Sequence, residues 1–524
     1  MKRVTRRWAI AGLVAAPIAY VGGRKVLALS ADPRGPKTCI PAVGVEEVRE
    51  AAELPNLLRG GFIDDVSCLN ATPIHGRLKV TSIADIQRAI AHARANKLRI
   101  SAAGARHSMG GQAFAKGNLI LDMTGFNAIA VNEPAKVVTV QAGATWHDIQ
   151  NRIHPRLAIK AMQSTDIFTV GGSISVNAHG MDHQVGALMR TIRALTVVMA
   201  DGSVRRITPD SDAALFRLIV GGYGLFGIIA EAEIEVTDNV IYRTGRTVIA
   251  TEDFPRHFAE KIAPDTDIGL FYGHLSTAPG SGFLKEMLCY TYTKAGEPIA
   301  NLPPLGAVGM VKLRRLIINL AKEGPLFARA KWFAEKTVDP LFEACAVTRN
   351  DALAAGEDGH ACFVSRNDPM HDSVPYLMNA LNDETDILHE YFVPRANLIP
   401  FIDAVRTILT ASGLPVLNAS IRVVHRERNA LSYAPEDAFS LVLYINQPAS
   451  AEGNGRMASL TSALIDVTIG HGGRFFLPYQ LHYTPEQLQR SYPEIGAFFA
   501  AKRRIDPDEI FFNTFYERYA PAFA

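Results

Sequence analysis

Two glycine-containing loops in the first half of the chain carry residues suited to phosphate binding. The first, Gly104–Gln112, follows a predicted strand and contains three glycines, with Ser108 and Gln112 as side-chain hydrogen-bond donors. The second, Thr169–Ser175, has two adjacent glycines. Successive backbone N–H groups in such turns form a concave site for anions. Two loops of this kind in one domain predict a large cofactor that contains phosphate.

A third glycine cluster, Gly222–Gly227, fits the GxGxxG pattern of dinucleotide-binding Rossmann folds. That pattern has this meaning only where it follows a strand and opens a helix. Here a helical run precedes it and a predicted strand, Ile228–Val236, follows it. We therefore do not expect a Rossmann site. The chain also has no GxxxxGK-S/T, HExxH or GxSxG pattern, so phosphate transfer, zinc proteolysis and serine hydrolysis lose their usual sequence support.

His179 and His183 are four residues apart, a spacing that suits metal binding when it occurs on a helix. The neighbouring Gly180 and Asn177 favour a loop instead, in which both histidines would be hydrogen-bonded side chains. We adopt the loop interpretation and predict no metal site.

The elements around these loops alternate helices, strands and hairpins. Ser82 followed by Asp85 predicts the capped start of an amphipathic helix. Residues 67–240 therefore have an α+β pattern. Longer, proline-containing loops after residue 241 indicate a second domain, 241–480, and the final segment is expected to end in a short aromatic strand, Ile510–Phe515.

Composition describes a globular chain of more than one domain. The chain has 524 residues and a formal net charge of +2, without a basic block, so we expect no nucleic-acid partner. Its five cysteines include no CxxC pair. A Cys39–Cys68 disulfide and buried free thiols are both compatible with this number and spacing.

The first residues, 1–31, have the composition of an export signal. Basic residues precede an apolar run, Trp8–Val21, and small residues follow it. The pair Arg6-Arg7 is similar to a twin-arginine signal, which predicts a periplasmic or secreted protein. The alternative is an uncleaved membrane anchor, although the run is shorter than the roughly twenty residues that span a bilayer.

Four segments in this order resemble the PCMH-type FAD-binding domain of the vanillyl-alcohol oxidase superfamily. They are Gly104–Gln112, Gln141–Ala144, Thr169–Gly172 and Gly221–Ile229. The resemblance covers about residues 67–240. It implies an α+β fold, with an FAD-binding domain of two α/β subdomains and a substrate domain built on an antiparallel sheet. It also implies that residues 481–524 return to the FAD domain. The residues it assigns to FAD binding are Ala103, Gly104, Ala105, Arg106, His107, Ser108, Gln112, Thr169, Gly171, Gly172, Ser175 and Ile228.

The resemblance also implies how FAD is attached. In many members a histidine of the first loop bonds covalently to the 8α carbon of the flavin, and His107 has that position. The family loop often has glycine before this histidine, where this chain has Arg106, so FAD held without the bond is the alternative. Relatives with two bonds use a cysteine in the second loop, and Asp166-Ile167-Phe168 contains none.

Different segments are similar to different branches of the superfamily. Ser164-Thr165-Asp166 resembles cytokinin dehydrogenases, which implies that Asp166 contacts a substrate amine. We expect either Asp166 or a tyrosine to accept the proton. Ser420-Ile421-Arg422 resembles aldonolactone and alditol oxidases, in which an arginine binds the polyol. Gly473–Leu477 resembles decaprenylphosphoryl-ribose oxidases, but this chain has Pro478-Tyr479-Gln480 where those enzymes carry a lysine.

Taken together, these features predict an FAD-linked oxidoreductase. We expect hydride transfer from a CH–OH group of a small polyol, sugar or aldonolactone to flavin N5, with Asp166 and Arg422 at the reacting centre. Oxygen, a quinone or a cytochrome would accept the electrons. The alternatives are an enzyme that oxidises an amine and a binding protein without flavin.

Overall fold

The computed structural model describes residues 23–31, 48–49, 54–295, 302, 304–337, 363–378 and 381–523. The predicted export segment lies outside the described residues except for residues 23–31, where α1 (Gly23–Ser30) is a short helix. The described part of the chain forms three large sheets with helices packed against them, which confirms the predicted α+β class. None of the described helices is long and apolar enough to cross a membrane.

The first sheet positions the Gly104–Gln112 loop. The N-terminal strands are β1 (Val48–Arg49), β2 (Leu57–Arg59), β3 (Phe62–Ile63), β4 (Thr72–Pro73), β5 (Gly76–Lys79), β6 (Ile100–Ala103) and β7 (Leu119–Asp122). The sheet order is β1-β2-β5-β7-β6, with β7 parallel to both of its neighbours, and β3 pairs with β4 separately. Helix α2 (Ile83–Ala95) connects β5 to β6. Its capping box between Ser82 and Asp85 confirms the predicted helix start.

The second sheet is antiparallel and positions the other two glycine clusters. Its strands are β8 (Ile129–Asn132), β9 (Val137–Gln141), β10 (Leu157–Ile159), β11 (Ile192–Val198), β12 (Val204–Ile207) and β13 (Ile228–Asp238). They are ordered β12-β11-β13-β9-β8, and β10 also pairs with β13. Three helices accompany them, namely α3 (Trp146–Ile153), α4 (Val170–Ser175) and α5 (Ala213–Ile219).

The third sheet has eight strands and is antiparallel throughout, as the resemblance implied for the substrate domain. The strands are β14 (Ile241–Ala250), β15 (Ile268–Leu275), β16 (Glu286–Lys294), β17 (Phe363–Ser365), β18 (Glu384–Pro394), β19 (Val416–Val424), β20 (Ala438–Pro448) and β21 (Arg474–Phe475). Their order is β17-β14-β16-β15-β19-β20-β18-β21. The accompanying helices are α6 (Phe254–His257), α7 (Val311–Ala321), α8 (Pro325–Thr337), α9 (Leu398–Ser412) and α10 (Ala451–Gly470).

The C-terminal residues pack against the first sheet. They contain α11 (Pro485–Ser491), α12 (Ile495–Ile505) and α13 (Thr514–Tyr519). The Ile100 backbone N–H donates to the Ile510 carbonyl at 2.7 Å, and the Phe512 N–H donates to the Ile100 carbonyl at 2.9 Å. The predicted strand over 510–515 is wrong. Only Phe511 forms a β-bridge there, because the Asn513 side chain caps α13 by accepting from the Tyr516 N–H.

The two described cysteines have different states. Cys68 is disulfide-bonded. Cys39, the partner considered for it from the sequence, lies outside the described residues, so the pairing of Cys68 stays open. Cys289 is a buried free thiol, and burial raises its pKa to about 12.

Candidate functional site

A cavity of about 770 Å³ lies between the glycine-containing loops and one face of the third sheet. Its size is in the range of cofactor and substrate sites in proteins. The predicted cofactor residues line it together: Ala103, Gly104, Ala105, Arg106, His107, Ser108, Gln112, Thr169, Gly171, Gly172, Ser175 and Ile228. Residues separated by more than a hundred positions thus converge on one cavity.

The backbone of the first loop is held in an uncommon conformation. Arg106 and Met109 have φ values of 58° and 64°, in the left-handed region that side chains other than glycine seldom adopt. Two contacts fix this shape. The Arg106 carbonyl accepts from the Val66 N–H at 3.0 Å, and the Gly111 N–H donates to an Asp65 carboxylate oxygen at 2.8 Å. The loop is therefore braced from the protein side and presents its other side to the cavity.

The first and second loops touch each other. A Cβ on Gly104 would lie 2.0 Å from Thr169 Oγ1, so only glycine permits this approach. Thr169 immediately precedes α4, and the N–H groups of Val170 and Gly171 donate to the carbonyls of Ala144 and Ala142 at 2.9 and 2.8 Å. The Gln141–Ala144 segment thus fixes the start of α4 beside the first loop.

The Gly222–Gly227 cluster completes the cofactor side of the cavity. It follows helix α5 and precedes strand β13, which is the reverse of the strand–loop–helix order of a Rossmann site and confirms the predicted order. Its Tyr223 N–H donates to the Ser175 carbonyl at 2.9 Å, and Gly224 has a φ of 73°. The cluster therefore adjoins the end of α4 and contributes backbone to the cavity wall.

His107 lies in the cavity wall in a partly buried position. Its ring meets the Phe168 ring edge-on, with 5.6 Å between the centroids. Burial, helped by the charge of Arg106, lowers the pKa of His107 to about 4. The imidazole is therefore neutral at pH 7 and keeps a nitrogen lone pair.

The opposite wall is formed by polar side chains of the third sheet. Along β19 the alternate residues Asn418, Ser420 and Arg422 line the cavity, as the two-residue period of a strand requires. The guanidinium carbon of Arg422 lies 4.9 Å from the centroid of the Tyr272 ring. Its Nη1 atom is buried and has no hydrogen-bond partner among the described residues. Burial lowers the Arg422 pKa from its usual value. Arg422 thus lines the cavity with an N–H donor that no described residue uses.

A buried histidine–carboxylate pair lies in the same cavity. His179 Nε2 is 2.7 Å from Glu390 Oε1, and both side chains are almost fully buried. The Ser440 hydroxyl also donates to this glutamate oxygen. Sequence reasoning considered His179 only as a metal ligand or loop residue and missed Glu390. Glu390 directly follows His389 in β18, a strand that also carries Glu384 and Asp386, so no local sequence signal singled it out.

His179 and His183 do not converge on one ligand position. His183 packs edge-on against Phe258 and Phe271, and burial lowers its pKa to about 4. His179 contacts Glu390 instead. This arrangement agrees with the loop interpretation for the pair.

Asp166 is not where the resemblance led us to expect it. Its side chain is fully buried and does not line the cavity, although the neighbouring Thr165 and Phe168 do. One carboxylate oxygen is 2.7 Å from His147 Nδ1, and the other accepts from the Ser373 hydroxyl at 2.7 Å. The structure thus places the Asp166 carboxylate with His147 and Ser373 and not among the residues that line the cavity, and its role as substrate contact or proton acceptor stays a prediction.

Two helices cover the cavity above the third sheet. Helices α7 and α8 contribute mainly apolar residues to its lining, namely Leu313, Leu316, Ile317, Leu320, Phe327, Ala330 and Ala334. A charged group adjoins them, in which Glu335 is 2.5 Å from Lys331 and 3.3 Å from His274. Burial alone would raise the pKa of Glu335, but the charges of Lys331 and His274 outweigh it and lower that pKa to about 2. The cavity thus combines a polar wall with an apolar cover.

Comparison with known proteins agrees with this geometry. A family model described as an FAD binding domain matches residues 75–208. Decaprenylphosphoryl-beta-D-ribose oxidase of Mycolicibacterium smegmatis is 34% identical over 431 residues, which cover 79% of this chain and 87% of that protein. The chain belongs to the PCMH-type FAD-dependent oxidoreductases.

Other members of the PCMH-type family differ in what their names say they oxidise. Cytokinin dehydrogenase 4 of Arabidopsis thaliana is 23% identical over 450 residues, which cover 79% of this chain and 80% of that protein. L-gulonolactone oxidase of Mus musculus is 27% identical over 156 residues, or 30% of this chain and 36% of that protein. Membership of the family therefore establishes an FAD-dependent oxidoreductase with a small-molecule substrate and an electron acceptor, and leaves the substrate open.

Proposed function

We propose that this PCMH-type enzyme oxidises a CH–OH group of a small polyhydroxylated molecule, such as a sugar, a polyol or an aldonolactone. The observation that carries the proposal is the polar wall of the cavity. Arg422 and the His179–Glu390 pair line the same cavity as the cofactor loops. A planar guanidinium suits hydroxyl oxygens, and a histidine–carboxylate pair suits a proton released on oxidation.

FAD fits the residues of the cofactor side. The two braced loops and the start of α4 contribute backbone there, and Gln112 Oε1 is buried with no partner among the described residues. When bound, FAD supplies the acceptor for the hydride, and the protein supplies binding, orientation and electrostatics.

We assign roles on the substrate side as follows. Arg422 binds and orients a substrate hydroxyl. His179 and Glu390 act as one unit that accepts the hydroxyl proton, because the carboxylate orients the imidazole and stabilises its protonated form. The pair takes the place that we first expected Asp166 to fill.

We also propose that FAD is attached covalently through His107. The low pKa of this histidine supports the proposal, because only a neutral imidazole has the lone pair that such a bond requires. Denatured protein should keep its yellow colour in an acid precipitate, and His107→Ala should release the flavin. Complete release of flavin from the wild-type protein by acid would exclude the covalent bond and leave the rest of the proposal standing.

The apolar cover favours a second form of the substrate, in which the sugar carries a lipid. The relative from Mycolicibacterium smegmatis is named for a decaprenylphosphoryl-linked ribose. Leu313, Ile317 and Phe327 of α7 and α8 offer a surface for an apolar chain beside the polar wall. An amine substrate is the weaker alternative, because the carboxylate that suggested it lies outside the cavity.

The substrate proposal is tested by product analysis. The purified enzyme is incubated aerobically with alditols, aldonolactones, a polyprenyl-phosphate sugar and N6-alkyl adenines, and each mixture is analysed by mass spectrometry. We expect loss of two hydrogens from a hydroxylated compound. Oxidation of the adenines alone would overturn the proposal. Hydrogen peroxide release in the same mixtures distinguishes oxygen from a quinone or cytochrome as the acceptor.

We propose export through the twin-arginine route, to the periplasm or beyond. The disulfide at Cys68 supports this location, because disulfides persist mainly in oxidising compartments. Replacing Arg6 and Arg7 with lysine should leave active enzyme in the cytoplasm. Unchanged export would contradict the proposal, and activity that stays with the membrane fraction would favour the anchor.

A further inference from the structure

A cluster of two histidines and one aspartate lies outside the substrate side of the cavity. Asp166 Oδ2 is 2.7 Å from His147 Nδ1 and 3.1 Å from His371 Nδ1. The two imidazole rings are stacked, with 4.5 Å between centroids and 17° between planes. One ligand-type atom from each residue lies within 4.8 Å of the other two. His147 and Asp166 from one region of the chain and His371 from a distant one thus bring their polar atoms close together.

The chemistry of this donor set is that of a transition-metal site. Imidazole nitrogen together with carboxylate oxygen suits Zn²⁺ and similar divalent ions, and three protein ligands leave a fourth position for water. An ion from solvent can reach the cluster at His147, because 43% of that side chain is exposed. Asp166 itself is fully buried. From this geometry we propose that His147, Asp166 and His371 form a binding site for one divalent transition-metal ion such as Zn²⁺.

The surroundings orient the proposed ligands. The Ser373 hydroxyl donates to the second oxygen of Asp166 at 2.7 Å, so Oδ2 is the oxygen left for the ion. His371 Nδ1 also lies 3.1 Å from Gln150 Oε1, a contact that is given up if Nδ1 binds the ion. The Ser373 contact is of the kind found at metal sites, where a hydrogen bond to a ligand fixes its direction.

Only a small rearrangement is needed to admit an ion. Bonds of roughly 2.1 Å in a tetrahedron place neighbouring ligand atoms about 3.4 Å apart. The present nitrogen–oxygen separations are 2.7 and 3.1 Å, so the ligand atoms must move apart by about 0.7 Å at His147 and about 0.3 Å at His371. The exposed ring of His147 has the freedom to make this movement.

The position of the cluster gives a bound ion a structural consequence. Asp166 is three residues before Thr169 of the second cofactor loop, and the His147 N–H donates to the Asp166 carbonyl at 2.9 Å. His371 precedes Asp372 and Val374, which line the cavity. An ion would therefore tie α3, the cofactor loop and the segment 371–374 together. We infer that it stabilises the holoenzyme without taking part in hydride transfer.

The test uses the purified holoenzyme after dialysis against a chelator. Titration calorimetry with ZnCl₂ should show one saturable site per chain, and Zn²⁺ should raise the melting temperature until EDTA is added. His147→Ala should weaken binding at least tenfold, and Ser373→Ala should weaken it by about tenfold. His257→Ala, which removes a histidine remote from the cluster, should leave the affinity unchanged.

Co²⁺ absorption and a second ligand variant test the metal site independently. Co²⁺ bound at the site should give visible absorption bands at wavelengths longer than those of the flavin, and His147→Ala should abolish them. His371→Gln tests the buried ligand in the same way. If His371→Gln does not fold, the result with His147→Ala is the one that tests the site. Absence of saturable Zn²⁺ binding, or equal binding by wild type and His147→Ala, would overturn the proposal. Neither result depends on the identity of the substrate.

Discussion

Replacing Arg422 with alanine tests the substrate side of the cavity. The change removes a guanidinium whose Nη1 atom has no protein partner among the described residues. It also removes the contact with the Tyr272 ring at 4.9 Å. Substrate binding and folding stability are therefore both affected, and the two effects have to be measured separately.

The expected magnitudes differ for the two effects. A hydrogen bond from a charged donor contributes about 1.5–3 kcal/mol, and each 1.4 kcal/mol is a factor of ten. Loss of the Arg422 contact should thus weaken apparent substrate affinity by about ten- to 150-fold. The contact with the Tyr272 ring contributes roughly 0.5–2 kcal/mol to stability.

The assay measures flavin bleaching at increasing substrate concentrations under anaerobic conditions, with melting curves recorded in parallel. Arg422→Lys is the matched control, because it keeps the charge but loses the planar pair of donors, and an intermediate affinity is expected. Unchanged affinity in Arg422→Ala, with only a lower melting temperature, would show that Arg422 supports the fold and does not bind substrate.

Three other substitutions test how the cofactor side and the core are held. Gly104→Ala should lower the flavin-to-protein absorbance ratio, because its Cβ would lie 2.0 Å from the second loop; Gly282→Ala, with nothing within 4 Å, should not. Lys502→Met leaves the buried carboxylate of Asp506 without a counter-charge and should lower the free energy of unfolding, measured in urea, by about 3–5 kcal/mol. Lys294→Met removes one partner of an exposed ion pair and should lower it by less than about 1 kcal/mol. Burial lowers the pKa of His389 from 6.5 to about 3. The free energy of unfolding should therefore carry no penalty from this histidine above pH 6.5 and should fall by about 3 kcal/mol as the pH drops to 4, because the unfolded chain takes up a proton that the folded chain does not. His389→Leu should remove this part of the pH dependence, and an unchanged pH dependence would contradict the assignment.

Much of the fold was predictable because its signals are local. The capped start of α2, the strand Val137–Gln141 and the hairpin of β11 and β12 follow from caps, β-branched runs and turn residues. The short segment 510–515 was not predictable in this way. Its aromatic residues satisfy a strand pattern, but the tertiary contact with Ile100 and the Asn513 cap decide its conformation.

The candidate site was predictable on the cofactor side and less so on the substrate side. Glycine loops carry their function in their backbone, so Gly104 and Thr169 were identifiable from sequence. Which way a polar side chain points is a tertiary property. Asp166 turns towards His147, whereas Glu390 reaches His179 from more than two hundred residues away. No local pattern distinguishes these two carboxylates.

The most direct measurement is the anaerobic reduction of the enzyme-bound flavin by each class of candidate substrate. Absorbance near 450 nm is followed by stopped flow after mixing with sugars, polyols, aldonolactones, a polyprenyl-phosphate sugar or N6-alkyl adenines. We expect a hydroxylated compound to bleach the flavin, more slowly when deuterium replaces hydrogen on the carbinol carbon and much more slowly in His179→Ala. Bleaching by the adenines alone, or bleaching by a sugar that is unaffected by that deuterium, would contradict this expectation.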